Sequence, residues 1–275
     1  MRSIRRTFRN APPAAWFGMV VVALYIFVAI FAPVLTPFKE TQIVAGPYEP
    51  WSAKYLLGTD NLGRDMLTRL IYGARNTIGL TLFITILSFI FGVGMGMLSA
   101  ALGGWMDQLL GRIVDIAMSI PALIFALLFL SFFGNSVPVL ITVVTVIEAT
   151  RIFRVTRAAA ETVVVNDYIE DARLRGESLL WIVSREILPN ILPPLIAEFG
   201  LRFCFVVLLI SSLSFLGLGI QPPTADWGSM VRDNAQLIGF GDSTPLLPAA
   251  AIGLLVVAVN LIVDWVLDRA SRLQS

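Results

Sequence analysis

Histidine is absent from the 275 residues, and cysteine occurs once, as Cys204 inside an apolar run. No disulfide and no Cys/His metal framework can be built from such a chain. Zinc sites of the HExxH kind, Ser-His-Asp triads and imidazole ligation of haem are excluded with them. The lysines are Lys39 and Lys54, followed by Glu40 and Tyr55, so the G-K-[ST] end of a Walker A phosphate loop is missing too. Charge is scarce: 14% of residues are Asp, Glu, Lys or Arg, where about 25% is usual. A net charge of +1 leaves no basic footprint for nucleic acid.

What is abundant is apolar surface. Hydrophobic residues make up 57% of the chain and mean hydropathy is +0.81, against about 45–50% apolar residues in soluble domains. Lipid as the main solvent explains both the surplus and the shortage of charge. A helix rising 1.5 Å per residue needs about 20 apolar residues to cross about 30 Å of hydrocarbon. Six stretches meet that need: Trp16–Leu35, Thr77–Leu102, Ile116–Phe133, Val137–Phe153, Ile191–Leu216 and Leu246–Leu267. Their runs are continuous rather than alternating, which selects helices over a barrel. The expected fold is therefore an all-α integral membrane protein of about six transmembrane helices.

Arg2, Arg5, Arg6 and Arg9 give the first stretch the basic start of a signal peptide. Its apolar core exceeds the usual span of about 7–15 residues, and Pro33 follows Ala32 where cleavage would fall, so a retained helix is expected. With the N-terminus inside, thirteen basic residues fall on inner segments and six on outer ones, which predicts cytoplasmic N- and C-termini. The chain then divides into residues 1–76, a tail, first helix and outer loop, and residues 77–275, a five-helix core. That core holds a charged cytoplasmic segment (158–190) and an outer segment (217–245). In the first outer loop, Leu62, Met66, Leu67, Leu70 and Ile71 recur at helical spacing and predict an amphipathic helix over Asn61–Tyr72. Thr59–Asp65 offers oxygen ligands but lacks the calcium-loop pattern, so capping of that helix by Asp60 or Asn61 is the better account.

Charges inside the spans are few. Glu198 and Arg202 are four apart on the fifth helix, and Glu148 and Arg151 stand near the end of the fourth. Mutual ion pairing is the simpler reading of each pair, and lining of a solute path the sharper one. Outside, Asp226-Trp227-Gly228 precedes Met230, Val231, Leu237 and Ile238, a pattern of a short surface helix with Trp227 as an interfacial anchor.

The cytoplasmic segment carries the most information. It runs from Asp167 through Glu170, Ala172, Gly176 and Leu179-Leu180-Trp181-Ile182 to Leu188-Pro189. Two short helices broken at Gly176 are expected, since glycine ends a helix with φ > 0. The apolar tetrad outside the membrane needs a cover, either lipid headgroups or a partner's groove.

Glu170-x-Ala172-x3-Gly176, with Leu188-Pro189 eleven residues on, resembles the EAA loop of permease subunits in ATP-binding-cassette importers. Asp171 and Glu186 depart from that pattern. Leu57-Gly58-Thr59-Asp60-Asn61-Leu62-Gly63-Arg64-Asp65 and Ser214-Phe215-Leu216-Gly217-Leu218-Gly219-Ile220-Gln221-Pro222-Pro223 are similar to outer segments of the dipeptide/oligopeptide permease family. The resemblance implies a type I importer permease of the bacterial inner membrane, not an enzyme, that moves peptides. Permeases for nickel, opines or sugars are the alternative within the family, and an ion-coupled carrier or channel the alternative outside it. The implied partners are a second homologous permease, one or two ATPase subunits that bind ATP and Mg, an extracytoplasmic binding protein, and lipid. It also implies an ATPase-coupling role for Glu170, Ala172, Gly176, Leu179, Leu180, Leu188 and Pro189. For Asp226, Trp227 and Gly228 it implies an outer gate or binding-protein contact. No cofactor or metal is implied for this chain itself.

Overall fold

The structure, a computed structural model, describes residues 11–274, with side chains to residue 269. The basic start at Arg2, Arg5, Arg6 and Arg9 lies outside the described residues. Helix α1 (Pro13–Leu35) begins on Pro13, where the missing N–H has no helical partner to lose. Helix α2 (Met66–Leu102) follows a long irregular loop and runs 37 residues, about 55 Å. Its first turn is capped by Asp65, whose carboxylate accepts the Thr68 N–H at 2.8 Å. Two expectations are corrected here. No separate helix covers Asn61–Tyr72, and the span expected from Thr77 starts eleven residues earlier, because nothing between Met66 and Thr77 interrupts the backbone ladder. Asp60 and Asn61 stand ahead of the cap rather than forming it.

Helices α3 (Gly104–Met118) and α4 (Ala122–Phe133) meet at a bend of 83°. The expected single span Ile116–Phe133 is thus broken, and Pro121 is the reason. Its backbone is extended, at φ −54° and ψ 131°, and it has no N–H to continue the ladder. Helix α5 (Val137–Val164) is followed by the short helices α6 (Asp167–Leu174) and α7 (Leu179–Trp181). A π-helical turn, Ile182–Ile187, then runs into α8 (Leu188–Phe215). Helix α9 (Trp227–Asn234) passes into a 3-10 segment, Ala235–Phe240, and α10 (Leu246–Gln274) closes the chain.

Among the described residues four helices are long and apolar enough to cross a membrane, or five if the bent α3–α4 pair is one span. Helix α5 has the length, 28 residues, but Glu148, Arg151 and Arg154 interrupt its apolar stretch.

Lipid tails are as apolar as leucine, so close contact and hydrogen bonds, rather than escape from water, hold such helices together. The α2–α5 pair is the most extensive contact in the fold. Gly92 and Gly96 make it possible: a Cβ at Gly92 would lie 2.7 Å from Ile152 Cβ, and one at Gly96 2.8 Å from Thr156 Cβ. Three buried clusters follow along this spine. One, with Ile169, Ala172 and Ile187, lies at the hairpin end. Another, around Ile84, Leu140 and Ile210, fills the middle, and a third, around Met66, Trp227 and Met230, closes the opposite end.

Candidate functional site

The hairpin between α5 and α8 is built by local chemistry. Asp167 and Glu170 occupy the first turn of α6 and Arg173 its last, each at the end where the helix dipole favours its charge. Gly176 takes φ +78°. Its N–H bonds the Arg173 carbonyl at 3.0 Å, and the Glu177 N–H bonds the Ala172 carbonyl at 3.1 Å, the paired bonds of a Schellman stop. Ser178 then caps α7 by accepting the Trp181 N–H. The π turn precedes Pro189, which cannot donate to the Arg185 carbonyl and so helps unsettle the α-helical ladder there.

Ile169 and Ala172 point into the buried cluster at this end, and Arg173 donates to the Ala101 carbonyl at the end of α2 at 2.8 Å. The hairpin is therefore fastened to the longest helix in the fold. Of the apolar tetrad expected to stand outside, Ile182 is buried and Leu179 and Trp181 are partly covered by the same cluster. Leu180 projects, 74% exposed, and Leu174, which the tetrad did not include, matches it at 79%. Glu170 and Pro189 are exposed and Leu188 is partly buried.

In the middle of the fold the two charge pairs prove to be one network. Arg151 donates to Glu148 at 2.8 Å and Arg202 to Glu198 at 2.5 Å. Arg202 also reaches the second oxygen of Glu148 at 3.4 Å. The chain Glu198–Arg202–Glu148–Arg151 alternates in sign and joins α8 to α5. Glu148 is wholly buried, whereas Arg151 keeps 32% of its side chain exposed.

At the opposite end the 217–245 segment is tied down on α1, α2 and the long loop. Trp227, expected as an interfacial anchor, is instead only 1% exposed. Its indole N–H donates to the Leu70 carbonyl at 3.0 Å, and Tyr25 meets its ring edge-on at 5.6 Å. Gly73 makes the space: a Cβ there would lie 2.6 Å from Trp227 Cδ1. Asp226 caps α9 through the Ser229 N–H at 3.0 Å and accepts the Thr77 hydroxyl at 2.9 Å. Burial pushes the Asp226 carboxyl above the usual carboxylate range, against the pull of these hydrogen bonds. Gly228 packs on α8, where a Cβ would fall 2.4 Å from the Ser211 carbonyl oxygen. All three residues are buried and hold the segment against the helices. Asp60 holds Arg64 at 2.7 Å and Arg69 at 3.2 Å, and Arg69 reaches across to the Pro223 carbonyl at 3.2 Å. Glu40 binds the Asn76 amide and the Ala225 N–H.

A model of the family described as binding-protein-dependent transport system inner membrane component matches residues 90–273. The chain belongs to this family. A model of the N-terminal TM domain of oligopeptide transport permease C matches residues 1–52. The chain is 33% identical over 256 residues to a dipeptide transport system permease protein DppC of Alkalihalophilus pseudofirmus, covering 91% of this chain and 83% of the relative. It is 33% identical over 258 residues to a di/tripeptide permease of Pseudomonas aeruginosa, covering 91% and 85%. A putative peptide transport permease of Brucella suis is 35% identical over 265 residues, covering 96% and 87%. The chain is accordingly a transport permease of the dipeptide/oligopeptide kind, a multi-pass component of the bacterial inner membrane and not an enzyme.

Within this permease, residues that sequence reading passed over do much of the positioning: Arg173, Leu174, Gly73, Thr77 and Arg69. Gly73 and Thr77 share one face of α2 by their spacing of four, but only the fold reveals that Trp227, 150 residues on from Thr77, fills that face. Trp227→Ala is expected to cost about 3–5 kcal/mol, the range for deleting a buried aromatic side chain. Melting of the detergent-solubilised permease should fall accordingly, with Gly73→Leu giving the same defect from the other side of the contact. Unchanged melting in both variants would show that the 217–245 segment is not held by this side chain.

Proposed function

We propose that the chain is one of two permease subunits of an ATP-driven importer that carries peptides or peptide-like solutes. In this reading it crosses the membrane six times, with α3–α4 as one bent span and α5 as another, and both termini face the cytoplasm. The charges of α5 are tolerated in a span because Glu198 and Arg202 of α8 pair with them. ATP and Mg are bound by separate ATPase subunits that grip the 158–190 hairpin, and a second homologous permease completes the path. A binding protein delivers solute at the face formed by the long loop and the 217–245 segment, with Asp226, Trp227 and Gly228 acting as an internal latch of that face.

The observation that carries the reading is the hairpin. Two large apolar side chains, Leu174 and Leu180, stand exposed on either side of a fixed glycine stop. The same element is anchored by Ala172 and by Arg173 to the end of α2. An apolar projection seated in a partner's groove and fastened to a rigid helix is what a lever needs. Peptide cargo is supported by the relatives, which are named as dipeptide, di/tripeptide and putative peptide transport permeases.

The test is a disulfide or short bifunctional crosslink from Leu180→Cys, in a Cys204→Ser background, to an ATPase subunit in native membrane vesicles. A crosslinked pair whose yield changes with nucleotide is expected. Absence of any crosslink from Leu180 and from Leu174 would overturn the coupling assignment.

A further inference from the structure

Helix α3 has three sides, each a row at helical spacing. Asp107, Gly111 and Val114 form the side that meets the bundle. The Asp107 carboxylate accepts the Ser99 hydroxyl at 2.7 Å and holds Arg157 at 2.5 Å. A Cβ on Gly111 would lie 3.9 Å from the same guanidinium, and Val114 is buried. Gln108, Arg112 and Asp115 form a second, polar side, and all three are exposed. Trp105, Leu109, Ile113 and Ile116 form the third. It is wholly apolar and bare from end to end, Trp105 being 71% exposed and Ile116 70%. Hydrocarbon around every free side would leave the polar row unsatisfied, and water around every free side would leave the apolar row uncovered. The two rows together fit a helix lying along a boundary between water and lipid.

Orientation and depth agree with that boundary. Helix α4 shares a buried cluster with the first half of α5, through Ala126, Leu130, Leu140 and Ile147, and α3 leaves α4 at 83°. Asp107 meets Arg157, and Asp115 meets Arg154 at 4.0 Å, so about 12 Å of α3 passes only about 4.5 Å of α5. Helix α3 therefore crosses α5 steeply instead of following it. It does so at Arg154–Arg157, about 26–30 Å along α5 from its start at Val137, a distance that matches the thickness of the hydrocarbon layer. Resting on the reading of α5 and of the bent α3–α4 pair as spans, we propose that α3 lies flat in the cytoplasmic leaflet. Its Trp105, Leu109, Ile113 and Ile116 side rests on the acyl chains and its polar side faces the cytoplasm, while α4 and the residues at its two ends make the crossing. Lipid, rather than a protein partner, is the occupant because the polar and apolar rows change over at the level where the hydrocarbon ends. Arg112 stands three and four residues from Leu109 and Ile116, beside the apolar row, where its stem lies on lipid and its charge stays in the wet layer. The bond from Ser99 to Asp107 fastens this helix to the end of α2, where Arg173 of the hairpin also binds, at the Ala101 carbonyl. Lipid thereby holds at a fixed level the end of α2 against which the hairpin works.

Depth measurement tests the placement in the assembled transporter reconstituted in liposomes. In a Cys204→Ser background, Trp105→Cys, Leu109→Cys, Ile113→Cys and Ile116→Cys are spin-labelled one at a time, and the Cys204→Ser permease treated alike serves as the blank. Collision rates with oxygen, which concentrates in lipid, and with a water-soluble nickel chelate give the depth of each label. All four should lie at one common depth, about 5–10 Å into the boundary between headgroups and acyl chains. Labels at Gln108→Cys and Asp115→Cys should meet the nickel chelate instead. A helix running through the membrane would give a steady climb of about 16 Å from Trp105 to Ile116, and that result would overturn the proposal. Labels on the apolar row that neither relaxer reaches would show a protein cover and would overturn it as well. A label at Leu128→Cys, on α4, separates this failure from failure of the underlying reading. If the nickel chelate reaches Leu128, the bent span itself falls; if the chelate does not reach it while the α3 row climbs, only the flat placement of α3 falls.

Discussion

Gly176→Val is expected to leave the permease in the membrane at normal abundance and to reduce ATP-driven uptake at least about tenfold. No contact explains this, because a Cβ at Gly176 would meet nothing within 4 Å. The penalty is in the backbone. At φ +78° an ordinary L-residue costs about 1–2 kcal/mol, and a β-branched one more, through the clash of its own side chain with the main chain. The chain can relieve that strain only by giving up the bonds from Gly176 to Arg173 and from Glu177 to Ala172. Once they open, the end of α6 frays, and Leu174 and Leu180 lose their fixed separation at the tip. Insertion does not depend on them, since the spans on either side are untouched. A graded series sharpens the test. Asparagine, which tolerates left-handed backbone, should be mildest, alanine intermediate and valine worst. Uptake by the valine variant at the level of the unsubstituted permease would rule out a mechanical role for this turn.

This turn was legible in the sequence because glycine and proline act locally: Gly176 and Pro189 do their work within a few residues. The helical class was legible for a similar reason, as apolar runs report the solvent. Direction was not. Hydropathy cannot say that Trp227 points into a notch at Gly73 rather than at the bilayer surface, since both places suit an aromatic ring. Nor does proline alone say where a span breaks: Pro121 turns its segment by 83°, while Pro193 and Pro194 lie within a continuous α8. The spacing Gly92-x3-Gly96, followed by Ala100, was open to view as a close-packing face. Its partner on α5 was not, because a sequence shows which residues are small but not which helix approaches them. The same gap hid the charge network. Each pair was visible at helical spacing, yet Arg202 meets Glu148 across 54 residues of sequence.

That shared carboxylate makes Glu148 the position where substitution is expected to damage the fold most. Its two oxygens serve different arginines, at 2.8 Å and 3.4 Å, and its side chain is wholly buried. Glu148→Leu strips Arg151 of its ion-pair partner and leaves an uncompensated charge within the helix bundle, which typically costs about 3–5 kcal/mol. Arg202 suffers less, because Glu198 still holds it at 2.5 Å. The double variant Glu148→Leu with Arg151→Leu removes one charge of each sign and leaves the Glu198–Arg202 pair intact. It should therefore regain most of the lost melting temperature and membrane abundance, as pairwise coupling between contacting residues requires. A single variant as stable as the unsubstituted permease, or a double variant no better than the single, would show that Arg151 finds its compensation elsewhere, in lipid headgroups or in the second permease, and that Glu148 is not what positions it.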